Sequence, residues 1–255
     1  MTNILKGACA QPTDCAVRTE KLIKKFGDLT ALKGVDLSIL RGELFGLLGV
    51  NGAGKTTLIK ILCGLLKPDG GEAYVLGKNA EREIGEIKRR IAVSPQETSV
   101  ALNLTVKENL IFFSQIYGYV GKNARTRADE IIARFGLEEV ANKYAKTLSG
   151  GWQRRLSIAI SLVGDPELIF LDEPTLGLDV LARRELWKII EGLKGKVTIV
   201  LTSHYLEETE RLCDRVAIMA KGNVLCTGSV EQIKYEAQTD SFEDAFVKIV
   251  EEKIL

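Results

Sequence analysis

Apolar residues recur along this chain with two different periods, and the changes between them outline the fold. From about Val17 the pattern is strand-like, and "GVDLSI" and "GELFGLL" read as two further strands ahead of a glycine-rich loop at 49–54. An apolar helix is predicted from Lys55 to about Leu65, and "GEAYVLG" reads as another short strand. "RIAVSPQ" ends a strand at a proline, which disfavours helix in the residue before it and suits the start of a loop. Residues 105–163 change character: helix-period patterns with glycine or asparagine breaks and little β-branched enrichment predict a helical insertion. Thr105 and Glu108 are spaced for a capping box there. The sheet pattern resumes with "LIFLD" and "VTIVLTS", continuous apolar runs of the kind that parallel strands show when buried on both faces. "VAIMAKGNVLCTG" reads as a hairpin around Lys221-Gly222-Asn223. "SFEDAFVKIVEEKI" predicts an amphipathic helix with Phe242, Ala245, Phe246 and Ile249 on one stripe.

Composition narrows the class without naming a function. The 255 residues are 45% hydrophobic and 27% charged, ordinary for a globular protein, and 35 basic against 34 acidic residues leave a formal charge of +1. That balance gives no electrostatic reason to expect a nucleic-acid partner. No apolar run approaches the ~18 residues that cross a bilayer, and "MTNILKGACAQPTDC" lacks the apolar core of a signal peptide, so residues 1–15 are expected to be a flexible leader. Five cysteines without a C-x-x-C pair, beside a single histidine, offer no zinc set, and free thiols are expected.

That single histidine, His204 in "VLTSHYLEE", stands where a buried strand gives way to an acidic, helix-like segment. A lone histidine is more often a surface or satisfied core residue than a functional one, so its meaning depends on its neighbours in the fold. "GVNGAGKTT" fits G-x-x-x-x-G-K-[ST] between a predicted strand and a predicted helix, the context a phosphate-binding loop requires. Gly49, Gly52 and Gly54 let the backbone of Val50, Asn51 and Ala53 wrap phosphate with N–H groups pointing inward, and the helix N-terminus adds partial positive charge. Lys55 would reach the β- and γ-phosphates, Thr56 would ligate Mg2+, and Thr57 is a further nucleotide-binding candidate of the motif. "LIFLDEP" brings Asp172 to the carboxyl end of a buried strand, where ligands bind in parallel sheets. Strand alternation would aim Asp172 at the magnesium shell and Glu173 at the attacking water, as general base or water-positioning group. Ser149-Gly150-Gly151 opens an amphipathic helix and looks like a second anion site. A second site makes sense if it serves another chain's nucleotide, as in a two-fold dimer that sets each Ser149 over the other copy's γ-phosphate.

"GVNGAGKTT", Pro95-Gln96, "LSGG", "LIFLDEP", "GLD" and the lone histidine, in this order and spacing over about residues 16–228, resemble the nucleotide-binding subunit of an ABC transporter. The resemblance implies an α/β fold with a P-loop NTPase core: a mostly parallel sheet, an N-terminal antiparallel β part and a helical subdomain at about 100–163. The ATPase domain would run from 16 to 236, with a C-terminal amphipathic helix at 237–255. The resemblance also implies roles for further residues. Phe26 would stack on adenine, and Gln96 would touch Mg2+ or the water and face the membrane partner. Leu178 and Asp179 would cross a dimer seam, and His204 would contact the γ-phosphate and the Glu173 region. Two positions depart from the pattern. Trp152 stands where the family's signature usually has glutamine, which removes that residue's polar contact to the partner's ribose. Val180 follows Asp179 where many relatives have proline, and it suggests no mechanism.

The implied cofactors are ATP and Mg2+. The implied partners are a second nucleotide-binding subunit and a separate transmembrane permease, with the chain held at the cytoplasmic face of the membrane. "ENLIFFSQIYG" and "SFEDAFVKIV" resemble the subunits of exporters for drugs, peptides, lipids or polymers, and 255 residues leave no room for the longer C-terminal regulatory domain of many importers. The alternative is a soluble ATPase of the same family acting on ribosomes or DNA, although such proteins commonly carry paired cassettes, a coiled coil or basic extensions that this chain lacks. A GTP-binding switch would need N-K-x-D, and "NKYA" at 142–145 has no aspartate. A small-molecule kinase would explain the phosphate loop but not Ser149-Gly150-Gly151.

Overall fold

A computed structural model describes residues 14–254, so the predicted leader lies outside the described residues apart from Asp14 and Cys15. The chain opens with an antiparallel pair, β1 (Cys15–Phe26) and β2 (Leu29–Leu40). β3 (Leu44–Gly49) is buried along its whole length and runs through the glycine-rich loop into α1 (Lys55–Leu62). That helix is shorter than its apolar pattern suggests: it closes when the N–H of Leu65 bonds back to the carbonyl of Lys60 at 2.8 Å. β4 (Gly70–Val75) returns antiparallel to β1, and β5 (Lys78–Asn79) pairs with β4. One helical turn, α2 (Ile84–Ile87), leads to β6 (Ile91–Ser94).

The predicted insertion is helical, with α3 (Val106–Ile116), α4 (Lys122–Phe135) and α5 (Gly150–Ser161). α3 starts with the expected capping box: Thr105 Oγ1 accepts from the N–H of Glu108, and the Glu108 carboxylate accepts from the N–H of Thr105. Then come β7 (Leu168–Asp172), α6 (Val180–Glu191), β8 (Thr198–Thr202) and α7 (Leu206–Leu212). β9 (Arg215–Ala220) and β10 (Asn223–Gly228) form the predicted hairpin. α8 (Val230–Ala237) and α9 (Phe242–Ile254) follow. α8 escaped the sequence reading although Ser229 and Gln232 carry its signal, a second capping box.

β1 and β2 join β4 and β5 in a four-stranded antiparallel sheet, ordered β2-β1-β4-β5. The larger sheet is ordered β10-β9-β3-β8-β7-β6, parallel throughout except for its edge strand β10. Its continuous apolar runs serve both faces. Leu44, Ile169, Leu171, Ile199 and Leu201 pack toward the helical insertion and α6. Phe45, Leu47, Leu168, Phe170 and Val200 alternate with them and pack toward α1 and the antiparallel sheet. Each such buried side chain stabilises the fold by ~1.5–3 kcal/mol, so the central strands form a rigid base for whatever projects from their ends. A third cluster seats α8 and α9 on Val216 and Ile218, with Phe242, Ala245 and Ile249 buried as the stripe predicts. Cys63, Cys213 and Cys226 are free. Cys15 departs from the expectation of free thiols and is disulfide-bonded.

Candidate functional site

Because β3, β6, β7 and β8 are parallel neighbours, their carboxyl ends open on one edge. Register aligns them closely. Leu47 lies opposite Thr202, Thr202 opposite Asp172, and Leu171 opposite Ser94. The next residues along these strands are the loop at 49–54, Pro95-Gln96, Glu173 and Ser203-His204. Four segments far apart in sequence therefore converge, as expected at the carboxyl end of an open parallel sheet.

The loop after β3 is a cradle that side chains would fill. A Cβ on Gly49 (φ +154°) would lie 2.3 Å from the carbonyl oxygen of Met219, and one on Gly54 would lie 2.8 Å from that of Ala31. Gly54 is the N-cap of α1, so no side chain caps the helix and its first turn carries no acid. The exposed N–H groups and the dipole are left for an anion, and Asn51, Gly52 and Thr56 are open to solvent beside it while Ala53 is buried and Thr57 half-buried. The Lys55 ammonium is buried and donates to the carbonyls of Gly49 and Val50 at 2.5 and 3.3 Å. Burial lowers its pKa, while Glu173 and Asp172 nearby favour its charged form. A polyphosphate fits this set of backbone donors and one desolvated cation.

Asp172 ends β7 and accepts a 2.5 Å hydrogen bond from Thr202 Oγ1, which fixes one carboxylate oxygen. Strand alternation does not set the direction of Glu173. The strand stops at Asp172, and Glu173 adopts a left-handed φ of +48°, with its N–H held by the carbonyl and hydroxyl oxygens of Thr202 at 3.1 Å. This turn aims Glu173 at His204, whose Nε2 lies 2.6 Å from Glu173 Oε1. The carboxylate is mostly enclosed and the imidazole half-exposed, so the pair faces the open edge. Left-handed backbone at a non-glycine residue costs on the order of 1–3 kcal/mol and concentrates at functional positions. Asp172, Thr56 and Gln96 would supply carboxylate, hydroxyl and amide oxygens, the hard donors that suit Mg2+.

Arg154, which the sequence reading passed over, ties this edge together. It projects from the first turns of α5 and is 4% exposed. Its guanidinium donates to the carbonyls of Pro95 (2.5 Å), Gln96 (3.0 Å), Asp172 (2.6 Å) and Pro174 (2.8 Å). Burial pushes its pKa down to about 10, opposed by Asp172, Glu208 and Glu173, so it keeps its charge at neutral pH. The signal for it was faint: an arginine beside Leu156, Ile158 and Ile160 on the buried side of an amphipathic helix. Gln96 itself is exposed, with its backbone fixed and its side chain free to reach outward.

Ser149, Gly150 and Gly151 are not brought to this edge. Among the described residues no hydrogen bond or ion pair joins them to the loop at 49–57. They stand instead beside the start of α6, where a Cβ on Gly151 would lie 2.9 Å from that of Ala182. Ser149 is the N-cap of α5 by backbone geometry, yet its hydroxyl makes no capping bond and is exposed. Asp179 is engaged as the N-cap of α6, accepting from the N–H groups of Leu181 and Ala182 at 2.9 and 3.0 Å. Trp152 is stacked on the Arg155 guanidinium at 4.3 Å, and Glu185 holds that arginine at 2.6 Å. Phe26, at the end of β1, is 46% exposed and therefore no core residue, and Lys24 approaches its ring to 5.4 Å.

The model of the family described as ABC transporter matches residues 32–176. The daunorubicin/doxorubicin resistance ATP-binding protein DrrA of Streptomyces peucetius is 43% identical over 225 residues, 88% of this chain and 68% of that protein. The chain belongs to the ABC transporter family. The probable multidrug ABC transporter ATP-binding protein YbhF of Escherichia coli is 38% identical over 245 residues, 94% of this chain, and the chain spans only 42% of YbhF. Among solved structures, an ATP-binding subunit of an ABC transporter superposes with a TM-score of 0.80 at 28% identity, covering 92% of this chain and 99% of that one. A dimeric ATP-binding cassette in a post-hydrolysis state, bound to ADP and Pi, gives 0.73 at 30% identity over 84% and 98%. The fold is that of an ABC ATPase cassette, as the motifs implied.

Proposed function

We propose that this cassette binds and hydrolyses ATP and thereby drives export through a separate transmembrane subunit at the cytoplasmic face of the membrane. The observation that carries the catalytic part is the Glu173–His204 pair, 2.6 Å apart on the edge shared by the phosphate cradle. The backbone of residues 49–54 and the α1 N-terminus hold the phosphates, with Lys55 as the counter-charge and Phe26 as an exposed face for the base. Thr56, Gln96 and Asp172 would hold Mg2+, which when bound neutralises charge on the phosphate oxygens. Glu173 accepts the proton of the attacking water or orients that water, and His204 holds the carboxylate in place. Ser149, Gly150, Gly151 and Asp179 serve a second copy, covering the γ-phosphate of its nucleotide, so two copies enclose two nucleotides.

Two features support an external membrane partner. No helix among the described residues is long and apolar enough to cross a membrane. The helical insertion exposes Phe112, Ile116, Tyr117 and Val120, an apolar strip on the same insertion whose α5 is bonded to the Pro95-Gln96 segment. The relatives, a probable multidrug ABC transporter ATP-binding protein and a daunorubicin/doxorubicin resistance ATP-binding protein, favour a drug as the exported compound. Replacing Glu173 by glutamine keeps the fold and removes the base, so ATP turnover is expected to fall by about 10²- to 10⁴-fold with binding retained. Turnover near wild type would overturn the catalytic assignment.

A further inference from the structure

Five buried side-chain polar atoms among the described residues have no hydrogen-bond partner: Ser94 Oγ, Ser157 Oγ, Thr175 Oγ1, Arg183 Nε and Glu208 Oε2. Three of the five belong to one cluster, directly behind the Glu173–His204 pair. At its centre is Glu208 of α7, with no exposed surface. Its Oε1 accepts a 2.9 Å hydrogen bond from Trp187 Nε1 of α6. The hydroxyls of Ser203 and Thr175 and the Arg183 guanidinium stand around the same carboxyl and favour its charged form, against the larger effect of burial.

These neighbours flank both members of the catalytic pair. Thr175 lies two residues beyond Glu173, in the turn that leads to Asp179 and α6. Ser203 precedes His204, and Tyr205 follows it. Ser203 Oγ accepts from the N–H of Tyr205 at 3.0 Å, and the Arg183 guanidinium covers the Tyr205 ring at 4.8 Å. A buried carboxyl with half of its bonding capacity unused is expensive to retain for packing alone, since an apolar side chain of the same size would avoid the desolvation cost.

We propose that Glu208, held by Trp187, is a positioning residue for ATP hydrolysis: it ties α7, which continues from the loop bearing His204, to α6, which continues from the turn between Glu173 and Asp179. The inference rests on the proposed roles of Glu173 and His204. Because Glu208 is wholly buried and lies outside the phosphate loop, its loss lets the pair drift without removing a residue of the cradle. A displacement of about 1 Å in a reacting group lowers rates by up to roughly a hundredfold.

The test is steady-state ATP hydrolysis by the full chain carrying Glu208→Ala, Glu208→Gln, Trp187→Phe or Glu208→Ala with Trp187→Phe, beside Glu173→Gln. Glu208→Ala and Trp187→Phe are each expected to lower kcat by about ten- to a hundredfold with the KM for ATP unchanged. The double variant is expected to be no worse than the worse single one, because both break one link. Glu208→Gln is expected to keep most of the activity, since its amide oxygen still accepts from Trp187 and its NH2 can donate to the Ser203 and Thr175 hydroxyls. Should Glu208→Ala fail to fold, Trp187→Phe decides, because it removes the Nε1–H donor while leaving an aromatic ring in the same core position. Turnover within twofold of wild type in Trp187→Phe, a rise in KM parallel to the fall in kcat, or glutamine as harmful as alanine would each overturn the proposal. Glu173→Gln separates the two layers: if it abolishes turnover while the Glu208 and Trp187 variants do nothing, only this inference fails.

Discussion

Among the helix N-termini without a side-chain cap, those of α1 and α5 lie at the two glycine motifs, and they are built very differently. The start of α1 is enclosed by its own chain: Gly49 presses on the backbone of Met219, Ala53 is buried, and Lys55 is desolvated beside Glu173 and Asp172. The start of α5 is open, with Ser149 and Gly150 exposed and Gly151 set beside the start of α6. In the proposed function the first is the phosphate cradle and the second is half of a site, completed by another copy's cradle. Among the described residues no hydrogen bond or ion pair joins the two within one chain.

The largest expected effect comes from disabling each element separately. Lys55→Ala removes the buried cation from the cradle, so the chain should bind ATP about ten- to a hundredfold more weakly, from the loss of a charged hydrogen bond worth ~1.5–3 kcal/mol. Ser149→Phe should leave single-chain ATP binding untouched and reduce turnover, because it obstructs only the face offered to the second copy. Mixing the two impaired variants should raise turnover above that of either alone, since a mixed pair has one site with an intact cradle and an intact Ser149. Nucleotide titration of each variant and turnover of the mixture check this. A Ser149→Phe chain that loses ATP as Lys55→Ala does, or a mixture no more active than either variant, would break the comparison.

The same contrast should appear in stability. Gly49→Ala forces a Cβ to within 2.3 Å of a backbone oxygen at φ +154°, where neither party can yield cheaply. A loss of about 1–3 kcal/mol is expected, with Tm falling ~2–4 °C for each kcal/mol. Gly151→Ala meets one methyl at 2.9 Å on a surface helix turn, and the helix gains ~0.5–1 kcal/mol from losing a glycine, so its Tm should move little. Thermal unfolding of both variants tests whether α1 is the rigid start and α5 the adaptable one.

Much of this site was legible before any coordinates, and the reason is local. "GVNGAGKTT" needs only nearest-neighbour geometry, and "LIFLD" and "VTIVLTS" announce parallel strands because both faces are apolar; once strands are parallel, Gln96, Asp172 and His204 must share an edge. What escaped was set by packing between distant segments. Glu173 reaches His204 through a left-handed turn rather than by strand alternation, and a φ angle has no signature in a non-glycine residue. Arg154 and Glu208 sit among other charged residues on α5 and α7, and only depth of burial distinguishes them from the partly covered Arg155 and the exposed Glu207. The second capping box, at Ser229, was readable and was missed.

The smallest effect expected lies behind the enclosed site and concerns pH. Burial holds the Glu208 carboxyl above its ordinary value of 4.5, against the opposing pull of Ser203, Trp187, Thr175 and Arg183. Arg154 of α5 and the buried Cys213 thiol beyond α7 are coupled to the same carboxyl. A carboxyl with a raised folded-state pKa binds its proton more tightly in the native chain than in the unfolded one. Its contribution therefore favours folding at low pH and is lost as pH rises from the unfolded value through the folded one. Glu208→Gln removes that titration while keeping the Trp187 hydrogen bond. Its Tm should match the wild type near about pH 5 and exceed it near about pH 8, by a few degrees at most for a chain of this size. A difference that stays flat across the range would mean that Glu208 is not held up by burial, and that the polar cluster behind His204 is wetter than the cradle on the other side of the same strands.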